Sequence, residues 1–310
     1  MAVAEFDLIR RYFDHAPRRA ETRLGVGDDC ALLNLPAGYQ LALTTDTMVE
    51  GVHFFAGTDP EALGHKLLAV NLSDLAAMGA EPLAVTLNLT LPRADETWIQ
   101  AFARGFLALA QQFNVDLIGG DTTSGPLSLS VQALGKIAEG KALLRSGAKP
   151  GDGIYVTGLL GEAGLGLKIE QGWRADGSMS ALERFHRPMP RVAEGLALLG
   201  VANSCIDISD GLASDLGHIL ERSGVGAILD WGKLPLSSSV RNYVADSGDY
   251  LMPLTAGDDY ELCFTVSAAE AKRVPPGCVR VGVIEAEPGL RLRKDGGIQL
   301  LQAKGYEHFS

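Results

Sequence analysis

The strongest constraint on the fold of this chain is a pair of segments in which apolar and polar residues alternate. One amphipathic segment separates them. Residues 83–92 (LAVTLNLTLP) and 127–137 (LSLSVQALGKI) alternate with a period of two, which is typical of half-buried β-strands. Residues 95–113 (DETWIQAFARGFLALAQQF) carry apolar residues three and four apart, which predicts an amphipathic helix. With 46% hydrophobic and 21% charged residues, the pattern favours a globular α/β or α+β protein.

The length of 310 residues predicts two domains, on a prior of roughly 150 residues per domain. A cluster of Gly and Pro at 145–153 (RSGAKPGDG) is the best candidate for the junction, with halves at about 1–140 and 150–310. The second half begins with a predicted strand and a glycine-rich helix entry. Residues 204–220 predict a strand, a turn and a helix, with Ser209 or Asp210 placed to cap that helix.

Charge and cysteine usage exclude several classes of partner. The chain has 27 basic and 38 acidic residues, a net charge of −11, and no basic run longer than a pair, which argues against nucleic acid and anionic membranes. Residues 1–13 lack the apolar core of a signal peptide, and the uncharged stretches are too short to span a bilayer. Four cysteines without a CxxC pair suit a reduced compartment. We therefore predict a cytoplasmic protein.

Six short acidic segments recur at the ends of predicted elements. They are GVGDDCALL (Asp28, Asp29), LALTTDTMVEG (Asp46), NLSDLAAMG (Asp74), IGGDTT (Asp121), DISDG (Asp207, Asp210) and AGDDYEL (Asp258, Asp259). Each aspartate taken singly is most often a turn or cap residue, because Asp and Gly favour turns for local backbone reasons. Their recurrence makes a shared site the alternative.

Asp74 gives the strongest argument for such a site. The helical segment 61–80 is apolar on nearly every face, and Lys66 and Asp74 are its only formal charges after Glu61. Asn71 lies three residues before Asp74 and shares its face. A buried carboxylate needs a partner. The sequence predicts either a metal ion or a hydrogen-bond network with the other acidic segments.

Converging carboxylates would require cations. Two like charges about 4 Å apart repel by roughly 4 kcal/mol at an effective dielectric constant near 20. Carboxylate and Thr hydroxyl ligands, without a Cys or His cluster, favour Mg²⁺ over zinc. The Gly119–Gly120 elbow, predicted to end a strand, would leave backbone N–H groups close to a phosphate, and Mg²⁺ would separate that phosphate from Asp121. The pattern indicates a nucleotide held through metals.

Rival motifs are weaker. Residues 135–142 (GKIAEGKA) match the spacing of a phosphate-binding loop, but Ala142 stands where that loop needs a Ser or Thr hydroxyl, so we reject the match. No GxSxG motif and no Cys and His pairing indicate a nucleophile. His53, which follows one of the acidic segments, has either a structural role or a role in the site.

Seven motifs taken in order resemble the thiamine-monophosphate kinases of the PurM-like, or aminoimidazole ribonucleotide synthetase, superfamily. They are GVGDDCALL, TTDTMVEGVHF, NLSDLAAMGAEP, IGGDTTSG, RSGAKPGD, DISDGLASDLG and AGDDYELCF. The resemblance covers nearly the whole chain, and NLSDLAAMGA, VEGVHF and KGYEHF look specific to the kinases.

The resemblance implies a two-domain PurM-like fold of class α/β and α+β. Its N-terminal α/β domains would join through their sheets in a homodimer, and its C-terminal domain would be α+β. It also implies transfer of the γ-phosphoryl group of ATP to thiamine monophosphate, giving thiamine diphosphate. Because the sequence presents no activated nucleophile, we expect direct in-line transfer.

The resemblance also implies the ligand-binding residues, position by position. Several Mg²⁺ ions would be bound by Asp29, Thr44, Thr45, Asp46, Asp74, Asp121, Asp207 and Asp210; ATP by Gly120, Asp121, Arg145 and Ser209; and thiamine phosphate by His53, Asp258 and Tyr306. Asp46, Asp121 and Arg145 are the predicted catalytic residues.

Two departures from the family pattern concern single positions. Thr44 stands where Ser is expected in many relatives, which keeps the hydroxyl, and Asp258 stands where Glu is common, which shortens a substrate contact by one methylene. Two other functions stay open at this point. One is a related ATP-dependent ligase acting on a purine precursor, and the other is a non-catalytic protein that binds nucleotide or thiamine phosphate.

Overall fold

A computed structural model describes residues 5–173, 179–302 and 305–306. The described chain forms two compact units. Unit 1 comprises residues up to 75 together with 80–140, and unit 2 comprises residues 76–79 together with those from 141 onwards. The predicted mixture of helices and strands is confirmed in both.

The described residues of unit 1 form a four-stranded sheet, a two-stranded sheet and three helices. In chain order the elements are α1 (Glu5–Tyr12), β1 (Thr22–Leu24), β2 (Leu32–Leu33), β3 (Tyr39–Val49), α2 (Pro60–Ala77), β4 (Glu81–Leu91), α3 (Glu96–Gln112), β5 (Asp116–Ser124) and β6 (Ser128–Ala138). The strand order is β3-β6-β4-β5, with only the β4 and β5 pair parallel. Helix α3 makes the crossover that this parallel pair requires.

The predicted strands and helix at 83–137 are confirmed, with one difference. Burial along β6 alternates residue by residue, as its sequence predicts. Strand β4 is instead buried on both faces at residues 82–85, because Ala31 and Leu33 pack against its first half. Helix α3 begins after Asp95, whose carboxylate accepts a hydrogen bond from the backbone N–H of Trp98.

Helices α2 and α3 cross with their backbones in close contact. A methyl group added at Gly64 would lie 2.2 Å from the carbonyl oxygen of Phe102, and one at Gly105 would lie 1.9 Å from that of Glu61. The same approach buries Leu67, Leu68 and other apolar residues of α2 completely. The apolar character of α2 on nearly every face therefore reflects a helix enclosed on all sides.

Unit 2 is built on a seven-stranded mixed sheet with strand order β13-β12-β9-β11-β7-β10-β8. Its elements are β7 (Gly153–Val156), α4 (Glu162–Glu170), α5 (Met179–His186), α6 (Val192–Ala197), β8 (Ser204–Asp207), α7 (Leu212–Ser223), β9 (Gly226–Asp230), α8 (Ser238–Ser247), α9 (Met252–Thr255), β10 (Leu262–Val266), β11 (Val279–Glu285), β12 (Gly289–Lys294) and β13 (Gly297–Leu300), with short 3-10 helices at Trp231–Lys233 and Ala271–Arg273. The predicted strand, turn and helix of residues 204–220 correspond to β8 and α7.

One hydrophobic core holds unit 2 together. Apolar side chains of β7, β9 and β11 pack against the buried face of α7, which includes Leu212, Leu216 and Ile219. Within the described residues, no helix combines the length and the apolar character needed to cross a bilayer.

The close crossing of α2 and α3 leads to a stability prediction. Gly105→Ala gains about 1 kcal/mol of helix propensity, but its methyl group meets backbone, which no side-chain rotation can relieve. We expect the free energy of unfolding to fall by about 2 kcal/mol in total, which a lower urea midpoint would show. Gly297→Ala is the control, because its methyl group makes only an ordinary contact, 3.7 Å from Lys294. Equal midpoints for the two variants would show that the crossing tolerates a methyl group and would contradict the prediction.

Candidate active site

The polar face of α2 contacts β3 in unit 1. The backbone N–H of Asp46 donates to Oδ1 of Asn71 at 3.1 Å, and Nδ2 of Asn71 donates to the carbonyl oxygen of Leu67 at 3.0 Å. The hydroxyl of Thr44 donates to the carboxylate of Asp74. Asp74 is partly buried, and the expected partner for its carboxylate is thus supplied, within the protein, by a hydrogen-bond network with the neighbouring acidic segment.

The candidate ligands Thr44, Thr45 and Asp46 are consecutive residues of β3, so their side chains point alternately to its two faces. Thr44 and Asp46 point to the helix-covered face, whereas Thr45 points to the other face and donates its hydroxyl to the carbonyl oxygen of Val131 at 3.2 Å. The structure therefore brings Thr44, Asp46 and Asp74 to the α2 side of β3 and leaves Thr45 on the opposite side.

The Gly119–Gly120 elbow lies inside a strand, so the prediction that the strand ends there was wrong. Strand β5 continues to Ser124, with an irregular register that places Leu117 opposite Val85 and Gly119 opposite Thr86. Gly120 has a φ of 146°, and an added methyl group would lie 1.8 Å from the carbonyl oxygen of Leu87. The close backbone packing between β4 and β5 requires a glycine at this position. The parallel pairing of the two strands continues through Asp121.

The two predicted catalytic aspartates stand on opposite edges of the four-stranded sheet. The register aligns Asp46 with Val131, Leu87 and Gly120 across β3, β6, β4 and β5. Three strand spacings separate the outer strands, about 14 Å along the sheet. Asp121, one residue beyond this row and exposed, is thus outside hydrogen-bonding reach of Asp46.

Asp29 and His53 lie in loops of unit 1. Asp29 is exposed, and its backbone N–H donates to Oδ1 of Asp28 at 3.0 Å. Nδ1 of His53 accepts a hydrogen bond from the backbone N–H of Val49 at 3.0 Å. The neutral ring therefore carries its proton on Nε2. This contact gives the histidine a structural role.

In unit 2, three segments meet at the turn that follows β8. The backbone N–H groups of Asp258 and Tyr260 donate to the carbonyl oxygens of Ser209 (2.9 Å) and Ile208 (2.8 Å). The backbone N–H of Tyr306 donates to the carbonyl oxygen of Asp210 at 3.3 Å. The sequence-predicted residues Ser209, Asp210, Asp258 and Tyr306 thus lie in one connected group, next to the buried Asp207 at the end of β8.

The cap of α7 differs from the prediction. Neither Ser209 nor Asp210 caps the helix through its side chain, and the cap position is Gly211. Oδ2 of Asp215, in the first turn, accepts hydrogen bonds from the backbone N–H groups of Asp210 and Gly211, both at 3.1 Å. Burial, with the nearby charge of Asp210, raises the pKa of Asp215 to about 7. An acidic residue in the first helical turn was the signal that could have identified it.

The acidic segment at 256–262 contains the candidate site residue Asp258 and two acids with structural contacts. Asp259 is buried, and its two oxygens accept hydrogen bonds from the backbone N–H groups of Gly161 (2.7 Å) and Ala163 (3.2 Å) at the start of α4. Burial raises the pKa of Asp259 to about 7. Glu261 is fully buried and accepts hydrogen bonds from Arg191 at 2.6 Å and from Arg184. These two acids anchor the part of the segment that follows Asp258.

Arg145 is exposed on the loop that precedes β7. The hydroxyl oxygen of Ser223, the last residue of α7, accepts hydrogen bonds from the backbone N–H groups of Gly147 (3.1 Å) and Ala148 (3.2 Å). This serine, which the sequence motifs did not identify, ties the arginine loop to the end of α7. Hydroxyl contacts of this kind have no sequence signature.

The candidate metal ligands do not form a compact cluster of side chains. Over residues 5–173, 179–302 and 305–306, no group of three or more His, Cys, Asp or Glu side chains forms a ready site for a metal ion.

The sequence matches two known family domains. Residues 27–137 match the N-terminal domain of AIR synthase related proteins, and residues 149–294 match their C-terminal domain. Over its full length the chain is 47% identical to the thiamine-monophosphate kinase of Salmonella typhimurium and 46% identical to that of Escherichia coli K12, and it covers 99% of each of these proteins.

Solved structures resemble nearly the whole chain. The thiamine-monophosphate kinase of Stenotrophomonas maltophilia superimposes with a TM-score of 0.84 at 44% identity, covering 96% of this chain and 99% of that protein. The structure described as "AaThiL complexed with AMPPCP and TMP" superimposes with a TM-score of 0.79 at 31% identity, covering 92% of both chains.

The raised pKa of Asp259 predicts how stability depends on pH. Between about pH 4 and pH 7 the folded chain holds a proton on Asp259 that the unfolded chain has released, so stability falls as pH rises, by up to about 1.4 kcal/mol per pH unit. Asp259→Asn removes this titration. Because Asn offers one acceptor oxygen for two N–H groups, the variant is less stable at low pH, and its curve approaches that of the wild type as pH rises. Urea midpoints at about pH 4.5, 6 and 7.5 measure this; parallel curves would refute it.

Proposed function

Because this chain belongs to the thiamine-monophosphate kinase family of AIR synthase related proteins, we propose that it transfers the γ-phosphoryl group of ATP to thiamine monophosphate. The product is thiamine diphosphate. The relative solved with AMPPCP and TMP supports ATP and thiamine monophosphate as the two substrates.

One observation carries the proposal. Residues expected to bind nucleotide (Ser209), metal (Asp210) and acceptor (Asp258, Tyr306) are joined around one turn by two backbone hydrogen bonds, from Asp258 to Ser209 and from Tyr306 to Asp210. Phosphoryl transfer depends on holding donor and acceptor in a fixed relative position, because little covalent chemistry is left to the protein. A turn that links nucleotide and acceptor residues through backbone supplies such positioning.

The donor atoms of this chain fit Mg²⁺. The Thr44 hydroxyl and Asp74 carboxylate already contact each other, and the candidate ligands offer only oxygen, which a hard cation prefers. We propose that Asp29, Thr44, Thr45, Asp46, Asp74, Asp121, Asp207 and Asp210 hold several Mg²⁺ ions with help from phosphate oxygens. Bound Mg²⁺ neutralises phosphate charge and stabilises the negative charge that develops during transfer.

The protein's own groups orient the reactants. We propose that Arg145, which is exposed on a loop anchored by Ser223, neutralises phosphate charge in the transition state. We also propose that Gly120 contacts ATP, although its packing against Leu87 already explains why this residue is glycine. We expect transfer to be direct, because the sequence has no GxSxG motif and no Cys and His pairing that would indicate an activated nucleophile. Asp46 and Asp121 act as ligands on either edge of the sheet.

The acceptor carries a cationic ring at one end and a phosphate at the other. Asp258 supplies negative charge for the ring, and Tyr306, 47% exposed, offers an aromatic face worth about 0.5–2 kcal/mol to a cation. The proton on Nε2 of His53 is a suitable donor to the phosphate. These assignments follow charge complementarity.

We further propose a homodimer. Tyr39, Leu41 and Leu43 alternate along β3 on the face opposite the helices, and they are 40%, 51% and 58% exposed. An apolar row on an edge strand is a surface that proteins usually cover. A second copy joined through the sheets would cover it.

The free cysteines at 30, 205, 263 and 278 suit the proposed cytoplasmic location.

The decisive experiment measures ADP release from Mg-ATP with thiamine, thiamine monophosphate and a phosphorylated purine precursor as separate acceptors. Of the three acceptors, we expect only thiamine monophosphate to be turned over. This activity should be lost in excess chelator and restored by added Mg²⁺. Preferential turnover of the purine precursor would indicate the related ligase instead. ATP binding without turnover of any acceptor would indicate a binding protein. Full activity in excess chelator would refute the proposal that the acidic residues hold Mg²⁺.

The dimer proposal predicts the effect of one charge. Leu43→Glu places a carboxylate in the apolar row, where burial of an unpaired charge is strongly unfavourable. Sedimentation velocity should show a dimer for the wild type and a monomer for the variant. Leu300→Glu is a control, because Leu300 is 78% exposed on β13 in unit 2. A monomeric wild type, or a dimeric Leu43→Glu variant, would contradict this interface.

A further inference from the structure

Residues 256–260, called here the acidic turn, hold two side chains on strained backbone. Asp258 has a φ of 70° and Tyr260 a φ of 48°. Among the described residues other than glycine, only Asn114 and Asp295 also have positive φ. Such conformations are unfavourable for residues with a Cβ atom and persist only where surrounding contacts hold them.

The surrounding contacts hold the acidic turn from two sides. On one side, its backbone N–H groups donate to the carbonyl oxygens of Ile208 and Ser209, at 2.8 and 2.9 Å. A methyl group added at Gly257 would lie 2.4 Å from the carbonyl oxygen of Ser209, so the two backbones are in close contact. On the other side, Asp259 accepts the two N–H groups at the start of α4. The strained conformation is therefore fixed before any ligand binds.

One hydrogen bond within the turn concerns the acceptor residue itself. The hydroxyl of Tyr260 donates to Oδ1 of Asp258 at 3.1 Å, and both side chains are partly buried. Positive φ at both positions brings the two side chains, which are two residues apart, to the same side of the turn. The bond restricts rotation of the Asp258 carboxylate and directs it.

We propose that Tyr260 is a positioning residue for the acceptor, acting through Asp258. Its hydroxyl holds the Asp258 carboxylate in the orientation that meets the cationic part of thiamine monophosphate. This inference rests on the proposed function. A carboxylate that is already oriented loses less rotational freedom when a cation binds, so the hydroxyl contributes to acceptor affinity without touching the acceptor. It adds nothing to the affinity for ATP.

The test compares two tyrosines that make the same type of bond. Tyr260→Phe removes the hydroxyl and keeps the ring and the backbone. Tyr243→Phe is the matched control, because Tyr243 also donates to an aspartate, Oδ2 of Asp249 at 3.4 Å, but it does so from α8. Steady-state kinetics with varied thiamine monophosphate and varied ATP, with calorimetric binding of thiamine monophosphate, are measured for the wild type and both variants.

For Tyr260→Phe we expect KM and Kd for thiamine monophosphate to rise about five- to tenfold, with KM for ATP and kcat within about twofold of the wild type. Tyr243→Phe should change none of these constants. In an Asp258→Ala background, Tyr260→Phe should have no further effect on acceptor affinity. A Tyr260→Phe variant with wild-type acceptor affinity, or an undiminished effect in the Asp258→Ala background, would overturn the inference.

Two further measurements separate the ways in which the inference could fail. If the wild type does not phosphorylate thiamine monophosphate, the proposed function fails first. If Tyr260→Phe does not fold, as judged by circular dichroism, a crystal structure of the wild type with thiamine monophosphate decides. The Asp258 carboxylate should then contact both the Tyr260 hydroxyl and the ligand. An acceptor bound without contact to Asp258 would overturn the inference.

Discussion

The two backbone hydrogen bonds between the acidic turn and the strand end at residues 208–209 are the constraint on which the candidate site of unit 2 depends. They hold Asp258 and Tyr260 in left-handed backbone, and they bring Asp258, a proposed acceptor residue, against Ser209, a proposed nucleotide residue. Backbone bonds are suited to this because they do not depend on side-chain rotation. The proposed chemistry therefore rests on a turn whose geometry is set before either substrate arrives.

The cost of burying a carboxylate explains how the acidic residues divide between structure and site. Asp215, Asp259 and Glu261 are buried and each accepts at least two hydrogen bonds from backbone N–H groups or arginines. Asp29 and Asp121 are exposed, where a ligand can reach them. The buried acids fix the loops, and the proposed role of the exposed acids is to bind the cations that hold phosphate. Both roles occur within single short motifs, as Asp258 and Asp259 show.

Much of the local structure followed from the sequence, because hydrophobic periodicity and capping act over a few residues. The alternation of β6, the amphipathic helix α3 and the strand, turn and helix around Asp207 were predicted and are present. The shared face of Asn71 and Asp74 was also predicted, and it contacts β3. The domain limits at 140 and 150, and the ligand assigned to each site residue, stay predictions. The predictions that a strand ends at Gly120 and that Ser209 or Asp210 caps α7 were wrong. The reason is that a glycine or an aspartate can have several different local roles in the backbone.

The sequence by itself determined the class of fold, the family and the set of acidic segments, since these reside in periodicity and in motifs read along the chain. Only the tertiary structure decided which aspartates are structural, why Gly120 must be glycine, and that Asp46 and Asp121 lie on opposite edges of a sheet. It also paired Tyr260 with Asp258 through a strained turn. The physical reason is that burial, strand register and hydrogen-bond partners are set by residues distant in sequence, which no local pattern records.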